Sequence, residues 1–177
     1  MKTLSWLLIC FGVYCLFVGM YYLWLRDDPN RLAFKNYTYT GSLPVNIKEI
    51  PRRIFIKDLG INLPIIPSEV KNNQWETTEN GASYLLSSPV PGDSGNSIIY
   101  AHNWASLFGN LVRARTGEEV DVEFADKSVR KFSIAYTTTV TPDQSSILAP
   151  SKDRRITLYT CTGWFDSKRF VVVAILH

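Results

Sequence analysis

The run Glu119-Val120-Asp121-Val122-Glu123-Phe124-Ala125-Asp126-Lys127-Ser128-Val129-Arg130-Lys131-Phe132-Ser133-Ile134 reads as two strands joined by a turn. Residues 119–124 alternate charged and apolar side chains without a break, the two-residue period of a strand with one buried face. Ala125-Asp126-Lys127 links them to a second β-rich run, so a hairpin is expected. Outward from it, the chain from Arg53 to the C-terminus keeps this texture: short apolar or alternating runs separated by Gly, Pro, Asn and Asp. Strands are expected at 53–58, 62–66, 82–86, 96–101, 119–124, 129–139, 155–160 and 169–175, with short helical turns at 105–113 and 142–148. Eight short strands favour an all-β fold closed into a barrel, because closure hides the edges that an open sheet would expose. There is no internal repeat and no low-complexity tract.

The first residues have a different character. From Thr3 to Leu25 there is no charged side chain. At ~1.5 Å per residue such a helix crosses a hydrocarbon core of about 30 Å, so a transmembrane helix is expected. Tyr21, Tyr22 and Trp24 suit an aromatic belt at its outer end. The run closes on Tyr21-Tyr22-Leu23-Trp24-Leu25-Arg26, too bulky for a small-x-small signal-peptidase site, and no polar face recurs at helical spacing. The expected organisation is an anchor over 1–26, a tether over 27–51 broken by Pro29, Pro44 and Pro51, and a β-domain over 52–177. Lys2 flanks one side of the helix and Arg26, Arg31 and Lys35 the other, so local basic charge alone would leave the domain cytoplasmic.

A net charge of +3, with no basic stripe bearing interleaved aromatics, argues against nucleic acid as a partner. Of three cysteines, Cys10 and Cys15 fall in the apolar helix, which leaves Cys161 alone in the domain with no intradomain disulfide to form.

Cys161 ends the strand Arg155-Ile156-Thr157-Leu158-Tyr159-Thr160-Cys161 and precedes a loop, Thr162-Gly163-Trp164-Phe165-Asp166, which sets its sulfur at a barrel rim. His102, the only histidine besides the terminal His177, sits where Ser97-Ile98-Ile99-Tyr100-Ala101 runs out into a loop. Arg169 opens the last apolar run. A thiol nucleophile, a proton donor and a fixed cation for an oxyanion are the chemistry these three types supply together. Taken singly, each has a bland alternative: an inert core thiol, a structural imidazole, a solvated charge. Lys168 is the weaker cation, since it lacks the planar fork of a guanidinium. One His and one Cys do not complete a metal site, and Glu76, Glu79 and Asp93 lack a diagnostic spacing, so no metal and no cofactor are expected.

At Thr157-Leu158-Tyr159-Thr160-Cys161, Ile99-Tyr100-Ala101-His102-Asn103 and Lys168-Arg169-Phe170-Val171-Val172 the chain resembles the sortases, membrane-anchored cysteine transpeptidases of bacterial cell surfaces. The resemblance takes in Pro89-Val90-Pro91-Gly92-Asp93-Ser94-Gly95-Asn96 and Leu107-Phe108-Gly109-Asn110-Leu111, and covers roughly Arg53 to the C-terminus. It departs at Ala101, where many members carry Gly, so that a methyl is expected to crowd the active-site floor.

The resemblance implies that Cys161 is the nucleophile, His102 the acid and base, and Arg169 the cation that holds substrate and oxyanion. It further implies that Thr160 faces the substrate, with Asn103 and Trp164 flanking as binding residues, Asn103 in reach of orienting His102. The implied reaction cuts a sorting signal resembling Leu-Pro-x-Thr-Gly in a surface protein, holds the acyl group on Cys161, and passes it to an amine, either a peptidoglycan precursor or a pilin lysine. It implies a single-pass membrane protein with an extracytoplasmic domain, against the local charge rule. Two other readings stand beside it: a membrane-tethered cysteine peptidase using water, and a catalytically idle barrel that binds peptides.

Overall fold

The computed structural model describes residues 2–26, 29–35, 37, 50–71 and 74–177. Pro44, most of the expected tether and the side chain of Trp24 lie outside the described residues. Helix α1, Lys2–Arg26, is 25 residues long, and its 18-residue stretch Trp6–Leu23 is apolar enough to cross a membrane. No residue of that stretch is buried, and most of its large apolar side chains are exposed, although Tyr22 near its end touches Phe165.

Ten strands follow: β1 Pro51–Ile56, β2 Ile61–Ser68, β3 Val70–Lys71, β4 Gln74–Trp75, β5 Ala82–Leu85, β6 Gly95–Tyr100, β7 Glu119–Phe124, β8 Val129–Val140, β9 Arg154–Thr162 and β10 Lys168–Leu176. Eight of them close into a barrel in the order β1-β2-β5-β6-β9-β10-β8-β7, with β7 returning to β1, while β3 and β4 form a small separate hairpin. All eight strands expected from the sequence are present. β2–β5 and β6–β9 pair in parallel, and the other neighbours are antiparallel. The two expected helical turns are shorter 3-10 turns, Gly109–Arg113 and Ser145–Leu148.

The alternation in β7 does what it promises: Val120, Val122 and Phe124 point inward and the acidic residues between them do not. Inside the barrel, Ile54, Ile56, Tyr84, Ile99, Leu158 and Val172 belong to one apolar core. A second core lies on the opposite face of β5, β6, β9 and β10, built on Leu85, Ile98, Tyr100, Tyr159, Cys161, Val171 and Val173. Leu148 covers one side of it, and Asn96 holds that loop by donating to the carbonyls of Ile147 (3.3 Å) and Ala149 (3.2 Å). Trp75 from β4 covers another, edge-on to Tyr100 at 5.3 Å.

The remaining cover comes from the segment read as a loose tether. Residues 29–32 form a 3-10 turn, and Leu32 and Phe34 are buried in this second core, Phe34 meeting Tyr159 edge-on at 5.1 Å. Lys35 N–H donates to the Pro142 carbonyl (2.9 Å), and Tyr37 packs on Trp75. Over its described residues, then, this stretch is a packed strap, because two apolar side chains two residues apart find a face of the sheet that nothing else covers.

Candidate active site

Side chains alternate along β9: Leu158 and Thr160 point into the barrel, Tyr159 and Cys161 away from it. In the antiparallel ladder Arg169 of β10 stands directly opposite Cys161, and directly opposed residues share a face. In the parallel ladder Tyr100 of β6 stands level with Tyr159. β6 ends at Tyr100, with His102 two residues beyond it, and Cys161 lies two residues beyond Tyr159 on β9, so His102 and Cys161 leave the β6–β9 pair at the same end. Three residues far apart in sequence thus lie toward one end of three adjacent strands.

Cys161 is 2% exposed, and its Sγ donates to the carbonyl of Arg31 at 2.9 Å. The expectation of an open rim position is therefore corrected: the thiol is at the strand's end and faces outward, but the strap roofs it. Burial pushes its pKa up from 9.0 to about 11, the Arg169 guanidinium opposing that shift and the Asp166 carboxylate adding to it. Arg169, also buried, gives Nη1 to the carbonyls of Asp166 (2.8 Å) and Lys168 (3.0 Å) and Nη2 to that of Ala33 (3.1 Å). Its Nε is buried without a hydrogen-bond partner. Lys168, by contrast, is exposed.

His102 is buried to 7% exposure and stacks on Trp104, centroids 4.7 Å apart and planes within 13°. The loop after it returns tightly: Phe108 N–H donates to the His102 carbonyl (3.0 Å) and Gly109 N–H to that of Trp104 (2.8 Å). A Cβ on Gly109 would stand 2.7 Å from that same oxygen, so only glycine permits the close approach. Beside His102 lies a cavity of about 440 Å³, lined by Tyr22, Arg31, His102, Asn103, Trp104, Phe165 and Asp166.

The flanking residues fall differently from their expected roles. Thr160 turns its hydroxyl into the barrel, donating to the Ala101 carbonyl at 2.8 Å, so it braces the residue before His102 and offers no hydroxyl to the cleft. Asn103 lines the cavity and donates to Asp166 (3.2 Å). Trp164 is 81% exposed and lies outside the cavity lining. Ala101 points its methyl into the barrel core, so it does not crowd the active-site floor.

Reading the sequence missed Asp166, which accepts from Asn103 and forms an ion pair with Arg31, thereby joining the loop after β9, the His102 loop and the strap. It also missed the strap, for which Arg31-Leu32-Ala33-Phe34, two apolar residues after a proline turn, is the only local signal. Glu76 accepts from Glu69 N–H, Asp93 pairs with Arg130, and no group of three His, Cys, Asp or Glu side chains gathers among the described residues.

Comparisons with known proteins converge. The Sortase domain family matches residues 54–177. Sortase A of Listeria monocytogenes is 29% identical over 101 residues, covering 55% of this chain and 45% of that protein, so the chain spans about half the length of this curated relative. A lid mutant of sortase A from Corynebacterium diphtheriae superposes with a TM-score of 0.63 at 26% identity, over 78% of this chain and 73% of that one. Sortase C-1 from Actinomyces oris shares the fold at a TM-score of 0.62 and 24% identity, over 71% and 72% of the two chains. With its closed barrel, a register that sets Arg169 opposite Cys161, and a family match over most of its length, the chain belongs to the sortases, a family of cysteine transpeptidases.

Proposed function

We propose that this chain is a membrane-anchored sortase that cuts a sorting signal resembling Leu-Pro-x-Thr-Gly and transfers the acyl part to an amine at the cell surface. One observation carries the reading: the thiol and the guanidinium already hold a peptide backbone, through the carbonyls of Arg31 and Ala33, two residues apart on the strap. A site that grips two carbonyls, two residues apart, of its own chain has hydrogen-bonding groups placed to grip those of a peptide substrate. With the strap displaced, the Cys161 thiolate attacks the scissile carbonyl carbon, and Arg169 steadies the resulting oxyanion. As the C–N bond breaks, His102 gives its proton to the departing amine, leaving a thioester on Sγ. An incoming amine then attacks that thioester, loses a proton to His102, and expels the thiolate, which restores both groups to their starting charges. Thr160 acts through Ala101 as a positioning residue for His102.

In this reading residues 1–26 anchor the protein, 27–51 connect, and 52–177 form the catalytic domain on the outer side of the membrane. The acceptor is a peptidoglycan precursor amine or a pilin lysine. The test is intact-mass analysis after adding sorting-signal peptides, with and without an amine. An acyl adduct on Cys161, absent from Cys161→Ala and discharged by added amine, supports transfer. Discharge by water at the same rate with or without amine supports a peptidase. The buried thiol, with its raised pKa, favours one further reading, an idle peptide-binding barrel. That reading requires peptide binding with no adduct even after the strap is opened.

A further inference from the structure

We propose that the loop after β9 seats on the membrane surface through Trp164 and Phe165, holding the cleft against the bilayer beside the helix that anchors it. The inference rests on reading α1 as a membrane anchor, and it adds a second contact at which the domain itself meets lipid. Outside α1, Trp164 at 81% and Phe165 at 57% are the most exposed large apolar side chains among the described residues. They are adjacent, with rings 5.0 Å apart, and so form one apolar tip. Phe165 has φ 51° and Asp166 φ 56°, a backbone region that residues with a Cβ rarely adopt, so the loop holds its rings outward against local preference.

What covers this tip is indicated by its neighbour. The Phe165 ring stacks on Tyr22 with centroids 4.8 Å apart and planes within 10°. Tyr22 is the second-last residue of the apolar stretch Trp6–Leu23, and the end of such a stretch lies at the boundary between acyl chains and headgroups. Stacking on Tyr22 therefore fixes Phe165 at that depth, and Trp164 beside it. Tyrosine, phenylalanine and tryptophan gathered there continue the belt with which a spanning helix meets the interface, where an amphipathic indole sits well. Among the described residues at the foot of the loop, Lys168 is exposed, while Asp166 is paired with Arg31. This suits anionic headgroups. The cavity next to His102 shares Tyr22 and Phe165 in its lining, so seating the loop brings that side of the cleft to the lipid surface.

The test places an environment-sensitive nitrobenzoxadiazole probe on single cysteines of the full chain, reconstituted in phosphatidylcholine–phosphatidylglycerol vesicles with and without brominated phosphatidylcholine. The labelled variants are Trp164→Cys and Val129→Cys, each with Cys10, Cys15 and Cys161 replaced by alanine, and native Cys15 with the other two replaced. Both labelled surface positions are exposed, so neither substitution removes core packing. The probe at 164 should emit blue-shifted light and lose most of it to bromines near the headgroups, less to bromines deep in the chains. The probe at 129 should emit as it does in water. A water-like, unquenched probe at 164 beside a strongly quenched probe at 15 overturns the docking and leaves the anchor standing. No quenching at either 164 or 15 overturns both. A probe at 164 that responds to added sorting-signal peptide and not to lipid assigns the tip to substrate and also overturns the docking. None of these readouts requires transpeptidase activity, so they stand apart from the success or failure of the proposed reaction.

Discussion

Replacing Phe34 by alanine should expose the Cys161 thiol and raise its reactivity toward a small maleimide at neutral pH. Leu32 and Phe34 are the strap's two fully buried apolar side chains, each contributing roughly 1.5–3 kcal/mol of burial, so the substitution removes about half of the apolar hold. The hydrogen bonds from Sγ and Arg169 to the strap carbonyls exchange for water when it lifts, and they recover little. Ionisation gives the second factor. The covered thiol titrates at about 11 against an ordinary 9.0, and 11 − 9.0 = 2, so uncovering raises its thiolate fraction about a hundredfold below both values. A less basic thiolate is also less nucleophilic, with a Brønsted coefficient of about 0.4–0.5, which takes back about tenfold. The net gain is about tenfold from charge alone, with improved access added to it.

The assay is the rate of adduct formation by intact mass on the full chain, in a Cys10→Ala, Cys15→Ala background so that Cys161 is the only thiol. The pH dependence gives an independent reading. Because closure raises the thiol's pKa, its stabilisation is fully present below about 9 and is lost as pH rises through about 11. Labelling of the native strap should therefore climb toward pH 11, and that of the variant toward a lower midpoint. Equal rates and equal midpoints in the two proteins would refute the reasoning, since the strap would then not be what keeps the thiol neutral and covered.

Three further outcomes follow from the site. Arg169→Lys keeps the charge but loses the fork that serves three carbonyls, so peptide turnover should fall by about 10²–10³ while Lys168→Ala changes it little, as steady-state rates on both variants will show. His102→Gln should lose far more rate on amide than on activated ester substrates, because only the amide nitrogen needs a proton to leave, and native turnover should be bell-shaped in pH; equal losses on both substrates would mean a structural role. Thr160→Val leaves the Ala101 carbonyl buried and unpaired at a cost of about 1–3 kcal/mol, measurable as a lowered denaturation midpoint.

The barrel was legible because its patterning is local. Alternation in 119–124 and turn formers at regular intervals require no long-range information, and the boundaries that shifted did so for local reasons. β1 stops at Ile56 because 57–59 tighten into a 3-10 turn closed by Gly60 at φ 65°. β2 runs past Pro67 to Ser68 because those residues extend beyond its partner β1, where a missing N–H breaks no ladder bond on that side. Cys161, His102 and Arg169 were legible through their motifs and strand ends. That Cys161 and Arg169 stand opposite one another was not, since it depends on the β9–β10 register. The partners of the Thr160 and Asn103 side chains were not legible for the same reason: sequence adjacency to Cys161 and His102 says nothing about which way an alternating strand or a loop turns a side chain.

The strap escaped notice locally, yet the strands it covers announce a cover. β7 carries acids at every second position and is buried on one face alone. In β6, Ser97-Ile98-Ile99-Tyr100 carries no charge, nor does Ile156-Thr157-Leu158-Tyr159-Thr160-Cys161 in β9, and every one of these residues is buried. A strand without a polar face needs a layer on both sides. The barrel supplies only one. Around the thiol the second layer is the strap, which occupies the thiol and the guanidinium that the proposed reaction assigns to a peptide. In that proposal strap and peptide exclude one another. Under the proposed function, apparent peptide affinity would be the intrinsic affinity scaled by the fraction of molecules whose strap is open, a fraction that the apolar hold of Leu32 and Phe34 sets.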